Sequence, residues 1–324
     1  MNSSEKMIRL GKSDLRVSPI GLGCWQFSKK NNFAGRFWPF LEDDEIKSIV
    51  RTSLEGGINW FDTAELYGNG ASERSLSRAL RELGKQPGDV TIVTKWWPMF
   101  RMAGSLITTM DQRLAALDPF PVDLHLVHQP YGFSGVREEM EAMLKLIASK
   151  KIRYAGVSNF SAAQMRTAWE TLDKAGAPLV VNEVRYSLLD RRIESNGILQ
   201  TAQELGITLI AYSPLAQGLL TGKFHDHPER VKETGFRKYS LQFQKSALEK
   251  SRPVIDLVKQ LGLKYNVTPT QIALNWLINH HGETVVAIPG ATKESQAAQN
   301  TGALKFTLSE EDLALLDKRS ERFK

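Results

Sequence analysis

The sequence predicts an α/β fold: a single (β/α)8 TIM barrel with an N-terminal β-hairpin and with extra helices and a long loop near the C-terminus. Eight short apolar runs alternate with segments of helical periodicity, the pattern of parallel strands joined by crossover helices. Three of these runs lead into Asp62, Lys95 and His128, and 33 residues separate each from the next. Parallel barrel strands bring their carboxyl ends to one rim, where such barrels carry their active sites, so the three side chains are expected to meet.

Length and composition fit one folded domain. A chain of 324 residues suits two average domains or one barrel with insertions, but no linker, low-complexity tract or charge block divides it. We therefore expect a single domain over residues 1–324. The start of the chain lacks the apolar core of a signal peptide, and no run approaches the roughly 18 apolar residues of a membrane span, which predicts a cytoplasmic protein without a membrane partner.

Charge and cysteine content narrow the function further. Cys24 is the only cysteine, so composition excludes an intrachain disulfide or a cysteine metal cluster. The net charge is +6 and the pI about 9.2, yet Lys and Arg are interleaved with Asp and Glu instead of forming a basic stripe. Nucleic-acid binding is therefore not expected, whereas a modest positive field suits a phosphorylated cofactor.

The predicted elements follow in chain order. Residues 1–18 contain a hairpin, IRLGKSDLRVSP, that caps the barrel. The eight predicted strands are the runs IGLG, INWF, VTIVT, VDLHLV, IRYAGV, PLVVN, ITLIAY and TVVAIPG. Helical stripes lie between them, and two clear examples are formed by Ile46, Ile49, Val50 and Leu54 and by Met140, Met143, Leu144 and Ile147.

Capping residues mark two helix starts. Ser161 and Thr268 each precede a Gln by three residues, which fits a capping box, and Pro269 occupies a first-turn position where its missing N–H costs nothing. Two insertions lengthen the C-terminal half. They are a long polar loop at 217–247, which we expect to act as a cofactor loop or lid, and a helical segment at about 249–264.

Four rim residues together predict acid–base chemistry, although each alone has an ordinary structural explanation. Tyr67 follows Asp62 by five residues in DTAELYG, close enough to turn back beside Lys95. The ordinary pKa of tyrosine, about 10, is too high for an efficient acid near neutrality, and an adjacent ammonium lowers it by stabilising the phenolate. Asp62 would hold Lys95 protonated, and neutral His128 would orient a carbonyl oxygen that Tyr67 protonates.

The chain resembles the aldo-keto reductase family over nearly its whole length. The resemblance rests on seven motifs in order: LGKSDLRVSPIGLG, FDTAELYG, TK at Lys95, DLHLVHQP, GVSNF, YSLLDR and IPGATKESQAAQN. It implies the same barrel, a catalytic tetrad of Asp62, Tyr67, Lys95 and His128, and Tyr67 as the acid. It also selects His128 over His125, which we interpret as a packing residue.

The resemblance further implies a nicotinamide cofactor held by barrel loops, since no GxGxxG phosphate turn is evident. Ser158, Asn159 and Glu183 match positions that hold the nicotinamide carboxamide, and Tyr212 matches the ring that stacks on nicotinamide. Relatives usually carry Gln where this chain has Glu183. The remaining positions implied for cofactor binding are Gly23, Trp25, Ser213, Pro214, Leu215, Gln217, Gly218, Leu219, Gly290, Thr292, Lys293, Gln296, Gln299 and Asn300.

The adenosine end decides the cofactor preference. Lys293 is the natural partner of a 2′-phosphate, so NADP(H) is favoured, with NAD(H) as the alternative. Relatives usually have Glu at the position of Gln299, so this chain departs from the family pattern there.

Aromatic residues near the strand ends predict an apolar mouth for the substrate. The candidates are Trp25, Phe33, Trp38, Trp96 and Trp97. Trp25 and Trp96 are the predicted pocket walls.

Two histidine pairs, His225 with His227 and His280 with His281, raise the question of a metal site. Neither pair has a third ligand at a suitable spacing in the sequence. No metal is therefore predicted.

Together these features predict an NADPH-dependent reductase that converts an aldehyde or ketone into an alcohol, with Tyr67 as general acid. Its partner is a small carbonyl compound, and the oligomeric state is left open. Two alternatives remain: an NADP-binding regulatory subunit of a potassium channel, a role that some family members have, and a Schiff-base aldolase with Lys95 as nucleophile. Asp62 argues against the aldolase, because a carboxylate raises the pKa of a neighbouring lysine.

Overall fold

The structure, a computed structural model, describes residues 6–29 and 37–324. All eight predicted runs contribute strands to one parallel sheet, in which each strand pairs with its neighbour in sequence, and an antiparallel hairpin precedes them. The hairpin strands are β1 (Ile8–Arg9) and β2 (Arg16–Val17), and the sheet strands are β3 (Leu22–Gly23), β4 (Trp60–Asp62), β5 (Thr91–Trp96), β6 (Leu124–Val127), β7 (Tyr154–Ser158), β8 (Leu179–Arg185), β9 (Thr208–Tyr212) and β10 (Val285–Ala287).

The sheet closes into a barrel. Parallel bridges from Ile20 to Ala287 and from Gly23 to Gly290 join the first strand segment to the last. A Cβ atom at Gly23 would lie 2.9 Å from the carbonyl oxygen of Ile288, so the closure brings the two backbones closer than a side chain would allow. The predicted (β/α)8 barrel is confirmed.

Helices pack around the outside of the barrel. The predicted stripes lie on α1 and α5, and the predicted capping boxes at Ser161 and Thr268 open α6 and α10. Within the described residues, no helix combines the length and the apolar character that crossing a membrane requires. The bounds are α1 (Asp43–Glu55), α2 (Ala71–Glu82), α3 (Gly104–Thr108), α4 (Met110–Leu117), α5 (Val136–Ala148), α6 (Ala162–Asp173), α7 (Ile198–Leu205), α8 (Lys223–Asp226), α9 (Lys245–Tyr265), α10 (Pro269–His280), α11 (Glu294–Gly302) and α12 (Glu310–Ser320).

The segment at 217–247, predicted as a long polar loop, contains regular secondary structure. It consists of short helical turns, held by apolar residues that the polar composition concealed. Phe224 and Phe243 are buried with their ring centroids 5.2 Å apart, and buried His225 contacts Ser251 of α9 at 2.8 Å. Besides α8, the segment contains 3-10 helices at Ala216–Thr221, Pro228–Tyr239 and Leu241–Phe243.

Two apolar cores sit on opposite faces of the sheet. Because side chains alternate along a strand, Val93 of β5 joins the core inside the barrel, whereas Ile92 and Trp96 join the core between the strands and the helices. The inner core also contains Leu10 and Leu15 of the hairpin region. The hairpin therefore plugs the barrel interior from the end opposite the carboxyl rim.

We expect Gly11→Ala to destabilise the protein by more than a backbone effect alone. Gly11 has φ +46°, and an added Cβ would lie 2.4 Å from the carbonyl oxygen of Val180 in β8. The left-handed backbone costs an alanine about 1–2 kcal/mol, and the forced displacement adds about 1–3 kcal/mol. Urea unfolding followed by tryptophan fluorescence measures the loss.

The matched control is Gly282→Ala, at φ +60° with no heavy atom within 4 Å of the added Cβ. It should show only the backbone cost, about 1–2 kcal/mol. Equal losses of unfolding free energy in the two variants would mean that the hairpin does not pack closely against β8 at Gly11.

Candidate active site

The ammonium of Lys95 lies at the carboxyl rim among three oxygen acceptors. It contacts Oδ1 of Asp62, donates to the backbone carbonyl of Thr63 at 3.0 Å, and lies 3.3 Å from Oε2 of Glu183. Adjacent strands β4 and β5 supply Asp62 and Lys95, and Glu183 reaches the same point from β8. The site therefore holds two buried carboxyl groups around one buried cation.

Contact between Glu183 and Lys95 is the feature that sequence reasoning missed. The resemblance places Glu183 beside a nicotinamide carboxamide, and the structure shows in addition that it is 3% exposed and pairs with the ammonium. Nothing in the local sequence signals this pairing, because it depends on barrel closure.

The two carboxyl groups that share the Lys95 ammonium both have raised pKa values. Burial raises the pKa of Asp62, and Lys95 only partly offsets it. Burial and the negative charge of Asp62 raise the pKa of Glu183 well above its ordinary range, again with Lys95 opposing. The pair therefore takes up a proton more readily than two separate carboxylates would.

Lys95 itself remains a cation. Burial alone would lower the pKa of its ammonium, but Asp62, Glu183 and Tyr67 raise it above its ordinary value. An amine nucleophile must be neutral to attack a carbonyl carbon. The electrostatics therefore oppose the Schiff-base aldolase alternative.

Tyr67 lies on the rim between β4 and α2. A turn hydrogen bond from its backbone N–H to the carbonyl of Ala64, at 3.1 Å, folds it back toward the strand end. Its ring centroid is 5.3 Å from Nζ of Lys95. The ring stacks on Trp25 at 5.9 Å and meets the ring of His128 edge-on at 5.7 Å. The four predicted tetrad residues thus come together at one place.

The pKa of Tyr67 does not follow the sequence expectation. Lys95 lowers it as predicted, but burial has a larger effect in the opposite direction, and the charges of Asp62 and Glu183 raise it further. The net pKa lies above the ordinary value of tyrosine. The predicted lowering was therefore wrong, because it counted the cation but neither the burial nor the second carboxyl group.

His128 lies directly after β6, with its ring 5.2 Å from that of Trp97. Burial, and then the charge of Lys95, lower its pKa well below the ordinary value, so the imidazole is neutral near pH 7. His125 is buried on the same strand, and burial lowers its pKa to about 3. Of the two, His128 lies against Tyr67.

A line of polar groups continues from His128 across the next strand ends. The side-chain amide of Asn159 donates to the carbonyl of His128 at 3.3 Å and to Oγ of Ser158 at 3.0 Å, and it accepts from the hydroxyl of Tyr212 at 3.0 Å. The backbone N–H of Asn159 donates to the carbonyl of Glu183 at 2.8 Å. Four of the predicted nicotinamide-binding residues therefore form one hydrogen-bonded shelf.

The loop after β9 has a backbone suited to a phosphate. Its φ angles are +52° at Ser213, +47° at Ala216, +54° at Gln217 and +97° at Gly218. The backbone N–H groups of Ala216 and Gly218 donate within this turn to the carbonyls of Ser213 and Leu215, both at 2.9 Å, and turns of this kind can present their remaining N–H groups to an anion. The predicted loop residues that lie here are Ser213, Pro214, Leu215, Gln217, Gly218 and Leu219.

The predicted adenosine-end residues surround the start of α11. Gln296 folds back so that its Oε1 accepts from the backbone N–H of Thr292 at 2.7 Å, and Asn300 donates to the carbonyl of Gly290 at 3.4 Å. Lys293 is the exposed N-cap of α11. A cation beside a helix N-terminus is a combination that suits a phosphate.

Gly290 also shapes the entrance to this region. Gln26 fills the space beside Gly290, since a Cβ atom added to Gly290 would lie 2.2 Å from Oε1 of Gln26. In the described part of the chain, this oxygen is buried and has no hydrogen-bond donor. Gly23 is bridged to Gly290 at the same point, while Gln299 lies half-buried on α11. A dinucleotide would fit along this rim, because backbone amides, a cation and an unsatisfied buried acceptor all border it.

Aromatic rings surround the mouth above Tyr67. Trp25 contacts Phe37 at 5.6 Å and Trp38 at 5.8 Å, and Trp97 covers His128. Phe33, another candidate, lies outside the described residues. The predicted role of Trp25 as a pocket wall fits this geometry.

The structure locates Trp96 away from the mouth. It is 1% exposed, donates from Nε1 to Oγ of Ser105 at 3.0 Å, and packs among the helices. The interpretation of Trp96 as a pocket wall is therefore corrected in favour of Trp97. Strand alternation carries the signal, because Trp97 lies two residues beyond Lys95 and so follows its parity.

A buried arginine ties the loop after β8 to the end of the chain. The backbone N–H of Arg191 donates to the carbonyl of Phe323 at 2.7 Å, and its guanidinium contacts Asp317 and, at 2.7 Å, Glu194. Glu194 also accepts from the hydroxyl of Tyr186 at 2.6 Å. Tyr186 directly follows β8, so the chain end supports the strand that carries the buried carboxyl group.

In the same cluster, Glu194 lies beside His280 and His281 as a third side chain that could bind a metal ion. One ligand atom each from Glu194, His280 and His281 lies within 4.8 Å of the others, a grouping that sequence spacing did not predict. Arg191 lies 3.3 Å from Nε2 of His280, and Lys324 lies 3.5 Å from Glu194. Both cations oppose a metal ion at this place.

Comparisons with known proteins agree with the geometry. The sequence model described as "Aldo/keto reductase family" matches residues 19–321. Probable aldo-keto reductase 1 of Glycine max is 32% identical over 313 residues, covering 94% of this chain and 86% of that protein. Aldo-keto reductase str7 of Strobilurus tenacellus is 30% identical over 311 residues, covering 94% and 89% respectively.

Solved structures give the same result. Glycerol dehydrogenase AKR11B4 from Gluconobacter oxydans superposes with a TM-score of 0.85 at 28% identity and covers 100% of this chain and 97% of its own. An aldo/keto reductase from Klebsiella pneumoniae, solved in complex with NADP and acetate, has a TM-score of 0.74 at 29% identity and covers 97% and 94%. The expected resemblance is confirmed: this chain belongs to the aldo/keto reductase family and is an oxidoreductase.

Proposed function

We propose that this protein reduces an aldehyde or ketone to an alcohol, with NADPH as the hydride donor and Tyr67 as the general acid. One observation carries the proposal. The phenol of Tyr67 lies beside a permanently charged ammonium and against a neutral imidazole, at the base of an aromatic mouth. These are the groups that a developing alkoxide requires.

NADP(H) fits the rim described above. The Klebsiella pneumoniae relative was solved with NADP, and here the shelf at Asn159, the left-handed turn at 213–218 and the exposed Lys293 lie along one edge. Bound there, the reduced cofactor supplies the hydride. The single-domain organisation, with the segment at 217–247 closing over the cofactor, is part of the same proposal.

The protein's own groups manage the proton. Neutral His128 can donate a hydrogen bond to the carbonyl oxygen and so fix its direction. Tyr67 gives its proton to that oxygen as it becomes an alkoxide, a much stronger base than a phenolate, so the raised pKa of Tyr67 does not prevent the transfer. Lys95 then stabilises the phenolate. The rings of Trp25 and Trp97 limit access of water.

Replacing Tyr67 by Phe removes the acid and leaves the ring. We expect the rate constant for carbonyl reduction to fall by about 10²–10⁴-fold, the usual contribution of a general acid, with NADPH affinity nearly unchanged. Turnover with a panel of aldehydes and ketones is followed at the NADPH absorbance band, and affinity by quenching of tryptophan fluorescence.

Tyr154→Phe is the matched control, since this tyrosine starts β7 at the other end of the barrel and bonds to Asp14 at 3.0 Å. Its turnover should match the wild type. Full activity in the Tyr67 variant would refute the assignment of the acid.

Lys293→Ala tests the cofactor preference. Loss of a charged hydrogen bond to the 2′-phosphate should weaken NADPH binding by about 10–100-fold, while NADH, which lacks that phosphate, should bind as before. Exposed Lys305, just beyond α11, provides the control variant Lys305→Ala, which should change neither affinity. Parallel losses for NADPH and NADH would contradict the proposed role of Lys293.

A further inference from the structure

We propose that Glu183 and Asp62 together hold one proton in the free protein and release it when the oxidised cofactor binds, so that Glu183 couples protonation to the redox state of the nicotinamide. This inference rests on the proposed function and concerns a residue at which the chain departs from the family pattern. It makes Glu183 a positioning residue that sets the charge of the site.

The first support is the charge count. Asp62, Glu183 and Lys95 are each at most 3% exposed, and all three meet at Nζ of Lys95. With both carboxyl groups ionised, the buried cluster has a net charge of −1. Burying an uncompensated charge is costly, whereas one added proton makes the cluster neutral.

The second support is an imbalance of donors and acceptors. Asp62 and Thr63 accept hydrogen bonds from the ammonium of Lys95, whereas Oε2 of Glu183 lies 3.3 Å from Nζ without forming one. In the described structure Oδ2 of Asp62 and Oε2 of Glu183 are buried without a hydrogen-bond donor. A shared proton would turn two acceptors into a donor and an acceptor, and each of the two carboxyl groups affects the pKa of the other.

The other ionisable groups around the pair do not supply the missing positive charge. Tyr67 from the rim and Tyr212 from β9 are neutral phenols whose pKa values are raised, and Glu183 contributes to both shifts. Cys24, whose thiol has a raised pKa, and neutral His128 complete the surroundings. Among the residues that the structure describes, Lys95 is the cation that contacts the pair, so a bound ligand is the natural source of a second positive charge.

An oxidised nicotinamide ring supplies such a charge, and the reduced ring does not. The resemblance to the family implies that position 183 lies at the nicotinamide carboxamide, beside the shelf formed by Ser158 and Asn159. A glutamine at this position cannot change its charge, but a glutamate can. Oxidised cofactor should therefore favour the ionised pair, and reduced cofactor the protonated pair.

Cofactor affinity should depend on pH. If the free protein binds the proton and the NADP⁺ complex does not, raising the pH favours the complex. NADP⁺ affinity should then rise by up to about tenfold per pH unit relative to NADPH affinity, until the pair is ionised in the NADPH complex as well. The ratio of the two affinities removes any contribution from the 2′-phosphate, which both cofactors carry.

Calorimetric titration of the full chain tests the proposal without measuring turnover. NADP⁺ and NADPH are each titrated at pH 7 in two buffers that differ in their enthalpy of ionisation, which gives the number of protons released. We expect NADP⁺ to release close to one proton more than NADPH. Equal proton release for the two cofactors would overturn the proposal, and this comparison needs no variant.

Glu183→Gln should abolish the difference in proton release between NADP⁺ and NADPH, and it should make the ratio of their affinities independent of pH. Glu139→Gln is the matched control, because Glu139 on α5 is another buried carboxyl group, whose pKa burial raises to about 8. It should keep the wild-type difference. A difference that persists in the Glu183 variant would assign the proton to another group and overturn the inference. Failure of both cofactors to bind would instead contradict the proposed function.

Discussion

Three strands of the barrel converge on a single ammonium. Asp62, Lys95 and Glu183 come from β4, β5 and β8, and their charged ends meet in an interior that excludes water. An isolated lysine could not stay charged at such depth, and two isolated carboxylates would repel each other. Each group is therefore tolerated only because the others are present, so the fold and the chemistry of the rim depend on the same contacts.

This arrangement also sets the properties of the neighbouring rings. Burial and then the Lys95 charge keep His128 neutral, whereas burial and the two carboxyl groups raise the pKa of Tyr67 against the lowering effect of Lys95. A proton on Glu183 reduces that opposition and makes the phenol a stronger acid. The acid strength of Tyr67 thus depends on burial, one positive group and two negative groups, and a single titration can alter it.

Much of this site could be predicted from the sequence. Equal spacing of Asp62, Lys95 and His128 sufficed to bring them to one rim, because each strand–helix unit returns the chain to the same end of the barrel. The alternation of side chains along β5 also distinguishes Trp97 from Trp96, because Trp97 has the parity of Lys95. Two features could not be predicted: that burial raises the pKa of the half-buried Tyr67 more than Lys95 lowers it, and that Glu183 turns toward the lysine from β8, three strands further round the barrel.

The contacts of buried Arg191 connect residues 317–323 to the loop after β8. Its bonds to Phe323 and Asp317 hold the turn that follows β8, and through Tyr186 they reach within three residues of Glu183. An affinity tag fused after Lys324, or a proteolytic cut before Asp317, would act on the same strand as the buried carboxyl pair.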